Sequence, residues 1–511
     1  MDDIRMAGGK YMQVPINEKA LVTELSGDFT LPDYQPEIKR LLKVTAEVLP
    51  PQKYVGDSEG EISGGIDYYV LYTGSDNQVY CAPLSSEYKV SVPMDKNELS
   101  LVNMTADAEI TPENVSGRVT SPRKLNIKCR LRTRARMYGD MPIDSSYSSL
   151  GGETQVLMGQ SETSRRIFSQ SEMIHLSDEM ILPATDGETR VINATGRVHV
   201  TDCTASNGAV NAKGELYLKI LMCREADGVP YTTMRRIPFN TTVSVDGADI
   251  GCETSAKGKT CEMSINVEDG RISIDAGVML ELSLCKTDSV TYVKDIYSTE
   301  RETSCEYRDI PFLRDGRALN SNFTQSDSMT LEEAGLTPEH KLIDIEGHAY
   351  TESATLEGGR WIFTGKTHFS LLCEKDGEYM CSEIEMPYRY TVESKQSESD
   401  NAYASATAEV INARARLDGE RIGVDAEVTM CCVISSKDEA RMLDNVSFGE
   451  EKGRSRGEYV VCYPSRDDSL WSVAKRYSTT VSALAHANKL TSTDTPDSKD
   501  TLQGTRYLII A

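Results

Sequence analysis

The 511-residue sequence predicts a mainly β protein, in which three tandem antiparallel, sandwich-like domains precede a small module of order β-α-α-β. Three observations predict this arrangement. One strand pattern recurs about every 150 residues, a domain-sized interval. Each copy contains runs in which apolar and polar residues alternate, as in half-buried strands. The last fifty-odd residues change to helical spacing. We expect domains at residues 1–143, including an N-terminal lead-in, and at 160–305, 318–445 and 457–511.

The recurring pattern is a glycine in an alternating strand, then a loop, then a proline with an apolar residue at the start of another strand. The glycines are Gly65, Gly214 and Gly365, and the later pairs are Pro83 with Leu84, Pro238 with Phe239, and Pro387 with Tyr388. Because further alternating runs follow in each copy, we interpret each one as a predominantly antiparallel β domain.

The end and the start of each copy carry their own signals. Asp-Gly at 269–270 and at 418–419 stands between alternating runs, which predicts a hairpin. Each copy opens on a proline-containing segment that leads into a strand: Leu31 to Ile38 in the first, Leu182 with Pro183 in the second, and Thr337 with Pro338 in the third. Polar segments at 144–152 and 448–457 predict linkers.

The C-terminal module predicts a short strand at 459–461, two helices and a closing strand within 502–510. Asp468 is placed as the N-cap of the first helix, and Thr480 or Ser482 begins the second. The residues with helical spacing are Leu470, Val473, Ala474 and Tyr477, then Val481, Leu484, Ala485 and Asn488.

These residues, together with 459–461, Trp471 and the Gln-Gly-Thr turn at 503–505, resemble the LysM family over essentially the whole module. LysM modules typically bind N-acetylglucosamine polymers such as peptidoglycan, in a shallow groove between the loop at the first helix and the loop after the second. The resemblance implies a ligand- or partner-binding groove formed by Asp468, Ser469, Leu470, Trp471, Asn488, Lys489 and Leu490.

Two departures from the LysM pattern affect this groove. Asp467 stands where the family has a glycine, and the second loop, 491–501, is long and acidic. Both alter the rim of the groove, and they favour a protein partner over a sugar. A purely structural role is the alternative for two side chains, with Asp468 capping the helix and Trp471 packing.

The repeats resemble SPOCS domains, and Leu31 to Ile38 resembles the lead-in of that family. Tandem SPOCS-like units followed by a LysM module resemble the spore-coat morphogenetic proteins of sporulating clostridia. The resemblance implies a non-enzymatic scaffold or adaptor in spore coat assembly, located in the mother-cell cytoplasm at the forespore surface. It also implies that the LysM module docks onto the coat-basement ATPase. The alternative is a LysM protein that binds peptidoglycan.

Charge and cysteine content narrow the function classes. The formal net charge is −24, from 79 acidic and 55 basic residues, which argues against nucleic-acid binding. No apolar run approaches the ~18–20 residues that a transmembrane helix needs. Because Met1 to Arg5 also does not resemble a signal peptide, we expect a cytoplasmic protein. The 13 cysteines lack Cys-x-x-Cys spacing and predict buried free thiols.

We find no catalytic motif, and we expect neither an enzyme nor a metal or cofactor. Ser121 with Lys124 matches Ser-x-x-Lys, and 75–77 matches Ser-Asp-Asn, but their order is reversed relative to β-lactamases. The sequence has no phosphate-binding loop of the Walker type, and the six histidines are scattered.

A basic stripe stands out on the strand around 124–136, where Lys128, Arg130, Arg132, Arg134 and Arg136 alternate with mostly apolar residues. Such a stripe suits an acidic partner surface or an anionic membrane. The alternative, which we favour, is neutralisation by acidic residues of neighbouring strands.

Overall fold

A computed structural model describes residues 11–56, 58–94, 99–143, 153–183, 187–395, 401–453, 460–490 and 496–510. The predicted linker at 144–152 lies outside the described residues, as does the end of the predicted linker at 448–457. The prediction of a mainly β protein with two short helices near its C-terminus is confirmed. No helix among the described residues is long and apolar enough to cross a membrane.

The first β unit consists of two facing sheets. Its strands are β1 (Tyr11–Thr30), β2 (Arg40–Val48), β3 (Gln52–Val55), β4 (Glu59–Thr73), β5 (Val79–Pro93), β6 (Val102–Ser121) and β7 (Lys124–Pro142). One sheet has the order β1-β7-β6; in the other, β4 pairs with β2, β3 and β5. The alternating apolar side chains of both sheets meet in one core, as in a β-sandwich.

The next two units repeat this plan. The second contains β8 (Thr154–Gln170), β9 (Ile174–Ile181), β10 (Thr189–Ser206), β11 (Ala209–Arg224), β12 (Pro230–Ser244), β13 (Glu253–Glu268) and β14 (Arg271–Ser298). The third contains β15 (Arg301–Thr330), β16 (Lys341–Glu357), β17 (Arg360–Lys375), β18 (Glu378–Glu393), β19 (Ala402–Asp418) and β20 (Arg421–Glu451). In both, three middle strands form a meander sheet. In the second sheet the last strand is central: β14 pairs with β13, β8 and β9, and β20 pairs with β19 and β15.

Two strands run through segments that were predicted to lie between domains. β15 covers residues 306–317, and β20 continues to Glu451 through the start of the predicted linker at 448–457. The two strands pair with each other along this length, from Arg301 opposite Glu451 onward. Polar composition predicts a linker wrongly at 448–451 because this end of β20 is exposed although it still pairs with β15.

The hairpin turns and the segments that open each unit are in contact. Asp269 and Gly270 both have positive φ, 48° and 71°, as a type I′ turn requires. The backbone N–H groups of three buried leucines donate to turn carbonyls: Leu31 to Arg123, Leu182 to Gly270, and Leu331 to Glu420. The counterpart of Leu31 in the third unit is therefore Leu331, which precedes the predicted Thr337–Pro338 segment.

The recurring glycines lie beneath aromatic rings of the neighbouring strand. Gly214 pairs with Phe239 and Gly365 with Tyr388. A Cβ at these glycines would lie 2.6 Å from a ring carbon. In the first unit the equivalent residue is Gly64, opposite Tyr88, and not the predicted Gly65. The residue that corresponds to Pro238 and Pro387 is Glu87, opposite Gly65, so alignment on Pro83 was wrong.

Equivalent positions of the three units meet, so that the units surround an approximate threefold axis. Leu71, Leu221 and Leu372 each lie seven residues beyond the glycine of their meander, and all three line one small cavity. Glu47 and Arg197, which occupy equivalent strand positions, form an ion pair at 2.6 Å between the first and second units. His348 of the third unit lies 3.9 Å from Glu47.

A buried arginine also joins all three units. Arg166 in β8 is 1% exposed, and its guanidinium donates to the Tyr138 hydroxyl at 3.1 Å and to Ser435 Oγ at 2.8 Å. Tyr138 belongs to the first unit and Ser435 to the third. Because each buried polar group finds its partner on another unit, these bonds fix how the units sit against one another.

The C-terminal module contains β21 (Val460–Cys462), α1 (Leu470–Arg476), α2 (Val481–Ala487), a 3-10 helix (Lys499–Leu502) and β22 (Leu508–Ile510). The two strands form an antiparallel sheet. Ser469, and not the predicted Asp468, is the N-cap of α1, in a reciprocal capping box with Ser472. Thr480 caps α2.

Candidate interaction site

Helix α1 of the C-terminal module packs against the end of β14 and the start of β15. Trp471 Nε1 donates a 2.7 Å hydrogen bond to Asp295 Oδ2. The Trp471 ring meets Tyr297 edge-on, with 4.9 Å between ring centroids and 71° between planes. Only 6% of Trp471 is exposed. One indole therefore supplies both an apolar and a polar contact across the interface.

Asp295 accepts hydrogen bonds from three donors at this contact, namely Trp471, Lys475 and Tyr307. Lys475 Nζ lies 2.6 and 2.9 Å from its two oxygens, and the Tyr307 hydroxyl donates at 2.5 Å. Burial alone would raise the pKa of Asp295, but the hydrogen bonds from Lys475, Tyr307 and Trp471 outweigh it and hold that pKa below its usual value. The carboxylate is thus ionised and fully partnered at neutral pH.

Contacts on both sides of this centre extend the interface. The Tyr297 hydroxyl donates to the Thr479 carbonyl at 2.8 Å, at the start of α2. Lys452 Nζ, beyond β20, donates to Ser478 Oγ at 2.8 Å. On the far side, Lys294 pairs with Asp497 at 2.6 Å. Three separate segments of the module are therefore tied to the β units.

The first rim of the predicted groove is largely inaccessible. Asp468 is 5% exposed, and its carboxylate accepts from the Ser465 N–H and pairs with Arg476 at 2.5 Å. The hydrogen bond from Arg476 outweighs burial and lowers the pKa of Asp468. Ser469 caps α1, and Leu470 is 0% exposed in the module core. Leu470 and Trp471 cannot meet a ligand without a rearrangement, because their side chains are already packed.

The second rim is also mainly structural. Asn488 donates to the Ile509 carbonyl and accepts from its N–H, both at 2.7 Å, and so fixes β22. Leu490 packs against the module core, whereas Lys489 is exposed. Residues 491–495 lie outside the described residues, but Pro496 beyond them accepts a hydrogen bond from the Trp471 N–H at 2.8 Å. The two rims therefore touch each other.

The basic stripe is largely neutralised by neighbouring strands. Arg136 is buried and pairs with Glu18 at 3.1 Å and Asp107 at 3.5 Å. Arg130 and Arg132 both pair with Glu113, and Arg134 lies opposite Glu109 in the ladder. Lys128 is exposed between two serines of the flanking strands. This geometry matches the neutralised alternative.

The described residues contain no group of three or more histidine, cysteine, aspartate or glutamate side chains arranged to hold a metal ion. All thirteen cysteines are free. Asp295, Tyr297, Tyr307 and Lys475, which form the observed contact, were not among the predicted site residues. A single aspartate at the end of a strand carries no sequence signal of its own.

Two family models match the chain. The model described as SipL, SPOCS domain, matches residues 189–275, which run from the start of β10 into β14. The LysM domain model matches residues 465–503. No curated protein and no solved structure shows significant similarity to the chain. The two resemblances expected from the sequence are thus confirmed, and the SPOCS match lies within the second of the three β units.

Proposed function

We propose that the chain, which contains a SPOCS domain of the SipL type and a C-terminal LysM domain, is a non-enzymatic scaffold of spore coat assembly. In this proposal the LysM domain docks onto a coat-basement morphogenetic ATPase at the forespore surface, in the mother-cell cytoplasm. Both matched families are non-catalytic domains, and the SPOCS match supports a role in sporulation.

The observation that carries the proposal is the anchoring of Trp471 on Asp295 and Tyr297. A LysM domain that acts as a tethered glycan sensor needs its groove open. Here the groove side chains Leu470 and Trp471 are packed, and Asp468 is held by Arg476. An anchored domain presents its remaining surface at a fixed position on a large β platform, which suits an adaptor between proteins.

Peptidoglycan binding is the second candidate, and the LysM match itself favours it. It requires that the rims at Asp468 and Asn488 admit a sugar chain. The exposed Lys489 beside the second rim is the described groove residue most open to such a ligand.

Co-purification separates these candidates. The full chain and a chain ending before residue 457 are each used to pull down the coat-basement ATPase, and each is sedimented with purified peptidoglycan. We expect the ATPase with the full chain only, and no sedimentation with peptidoglycan. Equal ATPase recovery by both chains contradicts docking through LysM, and peptidoglycan binding by the full chain alone favours the second candidate.

A further inference from the structure

The LysM sheet has an outer face that the rest of the described chain leaves open. Val461 pairs with Ile509, and continuing the register places Tyr463 opposite Tyr507. These four side chains alternate with Cys462 and Leu508, which point into the module core. Val461 is 51% exposed, Tyr463 76% and Tyr507 56%. The four residues form an apolar ladder, which we call the outer ladder.

The sheet also has one free edge. The Ile509 N–H and carbonyl both bond to the Asn488 side chain, so they point away from β21 and their edge is closed. In an antiparallel ladder, the residue opposite then also points its N–H and carbonyl outward. The main-chain groups of Val461 therefore lie on the other edge of the sheet, and among the described strands β21 pairs only with β22.

Positive charge flanks the outer ladder. Arg466 and Arg506, close in sequence to Tyr463 and Tyr507, are both exposed. Neither forms an ion pair with any residue in the described ranges, although the whole chain has a net charge of −24. Unpaired arginines beside exposed tyrosines are typical of protein-binding surfaces, and they favour an acidic partner.

We propose that the outer ladder and the free edge of β21 bind an extended segment of a partner protein that alternates apolar with acidic residues. Its main chain would pair with β21, its apolar side chains would cover the ladder, and its carboxylates would meet Arg466 and Arg506. This inference rests on the proposed function, because it names the LysM surface that remains available for a protein once α1 is anchored on Asp295.

A short synthetic peptide tests the surface independently of the ATPase. The probe is a fluorescent peptide of sequence Glu-Val-Glu-Val-Thr-Val-Glu, titrated with the full chain by fluorescence anisotropy. One control peptide has lysine for glutamate, and another has proline at alternate positions and cannot pair its main chain. The test variant is Tyr463→Ser with Tyr507→Ser. The matched control is Tyr34→Ser with Tyr54→Ser, two tyrosines of similar exposure on the first β unit.

We expect saturable binding that weakens with salt, is lost with both control peptides, and falls about tenfold or more in the test variant only. Absent binding, or equal binding by test and control variants, overturns the proposal. Dimers of the full chain that dissociate in the test variant, seen by sedimentation equilibrium, overturn it in favour of a second copy. Peptidoglycan sedimentation lost in the test variant overturns it in favour of a glycan. If the peptide binds but the ATPase does not, the proposed ATPase partner is wrong, and the proposal that the outer ladder binds an extended peptide is supported.

Discussion

Trp471 and Asp295 lie 176 residues apart in the chain, and the indole Nε1 of the first donates a 2.7 Å hydrogen bond to the carboxylate of the second. The same carboxylate accepts from Lys475 of the LysM domain and from Tyr307 of the third β unit. One charged group therefore joins the LysM domain to the junction between two β units.

Replacing Asp295 tests the contact between the LysM domain and the β units. We expect Asp295→Ala to weaken the docking of the LysM domain by about 2–4 kcal/mol, because hydrogen bonds to a charged acceptor are lost and Lys475 loses its partner. The measurement is limited proteolysis, with faster release of a C-terminal fragment in the variant. Asp288→Ala, at an exposed position on the same strand, serves as the control. Equal release from both variants would contradict the assignment.

The docking contact has a defined pH dependence. An unfolded aspartate titrates near pH 4 (~3.9), and the folded Asp295 has a lower pKa. The stabilisation is therefore fully present above about pH 5 and is lost as the pH falls through the folded pKa. We expect docking to be constant from about pH 5 to 8 and to weaken only below about pH 4. An Asp295→Asn chain should lack this acid step, and a transition near neutrality would point to another group.

Close approach at the recurring glycines gives a third prediction. A Cβ at Gly214 would lie 2.3 Å from the His199 carbonyl oxygen, so the backbone of the neighbouring strand must move. We expect Gly214→Ala to lower the free energy of unfolding by about 1–3 kcal/mol in urea denaturation, as overpacking does. Gly423→Ala is the control, since its added methyl group meets nothing within 4 Å. Equal effects at both positions would refute the steric explanation.

The charged contacts where the three β units meet give a fourth prediction. The side chain of Arg197 is 13% exposed, and it pairs with Glu47 of the first unit and Glu409 of the third. We expect Arg197→Met to cost about 3 kcal/mol, since the two largely buried carboxylates then share one cation, Lys259, instead of two. Lys89→Met removes an exposed pair with Glu61 and should cost less than about 1 kcal/mol. Similar losses in urea denaturation would show that the junction does not depend on Arg197.

Local patterns predicted the parts of the fold that depend on local chemistry. Alternation identified the meander strands, Asp269 with Gly270 identified a hairpin turn, and the spacing from Leu470 to Tyr477 identified α1. The opening strands β1, β8 and β15 gave no such signal. Over long stretches their inward-facing side chains are only half-buried and many of them are polar, so apolar and polar residues do not alternate clearly in the sequence. Their partners are supplied by strands about a hundred residues later.

The interaction site was less predictable for a related reason. Asp468 and Asn488 were expected to line a groove because of their positions in the LysM pattern, yet their polar atoms are used within the domain itself. Asp295 has no distinguishing neighbours in sequence, and it becomes a site only when α1 brings Trp471 and Lys475 to it. Contacts between distant segments leave no local pattern to read.

The fluorescence emission of Trp471 reports whether the LysM domain is anchored on the β units. In a Trp361→Phe chain, Trp471 is the sole tryptophan. We expect blue-shifted emission that resists acrylamide quenching, and a red shift with increased quenching when Asp295→Ala and Tyr297→Ala are added. Emission and quenching that are the same with and without those two substitutions would contradict the anchoring of the LysM domain.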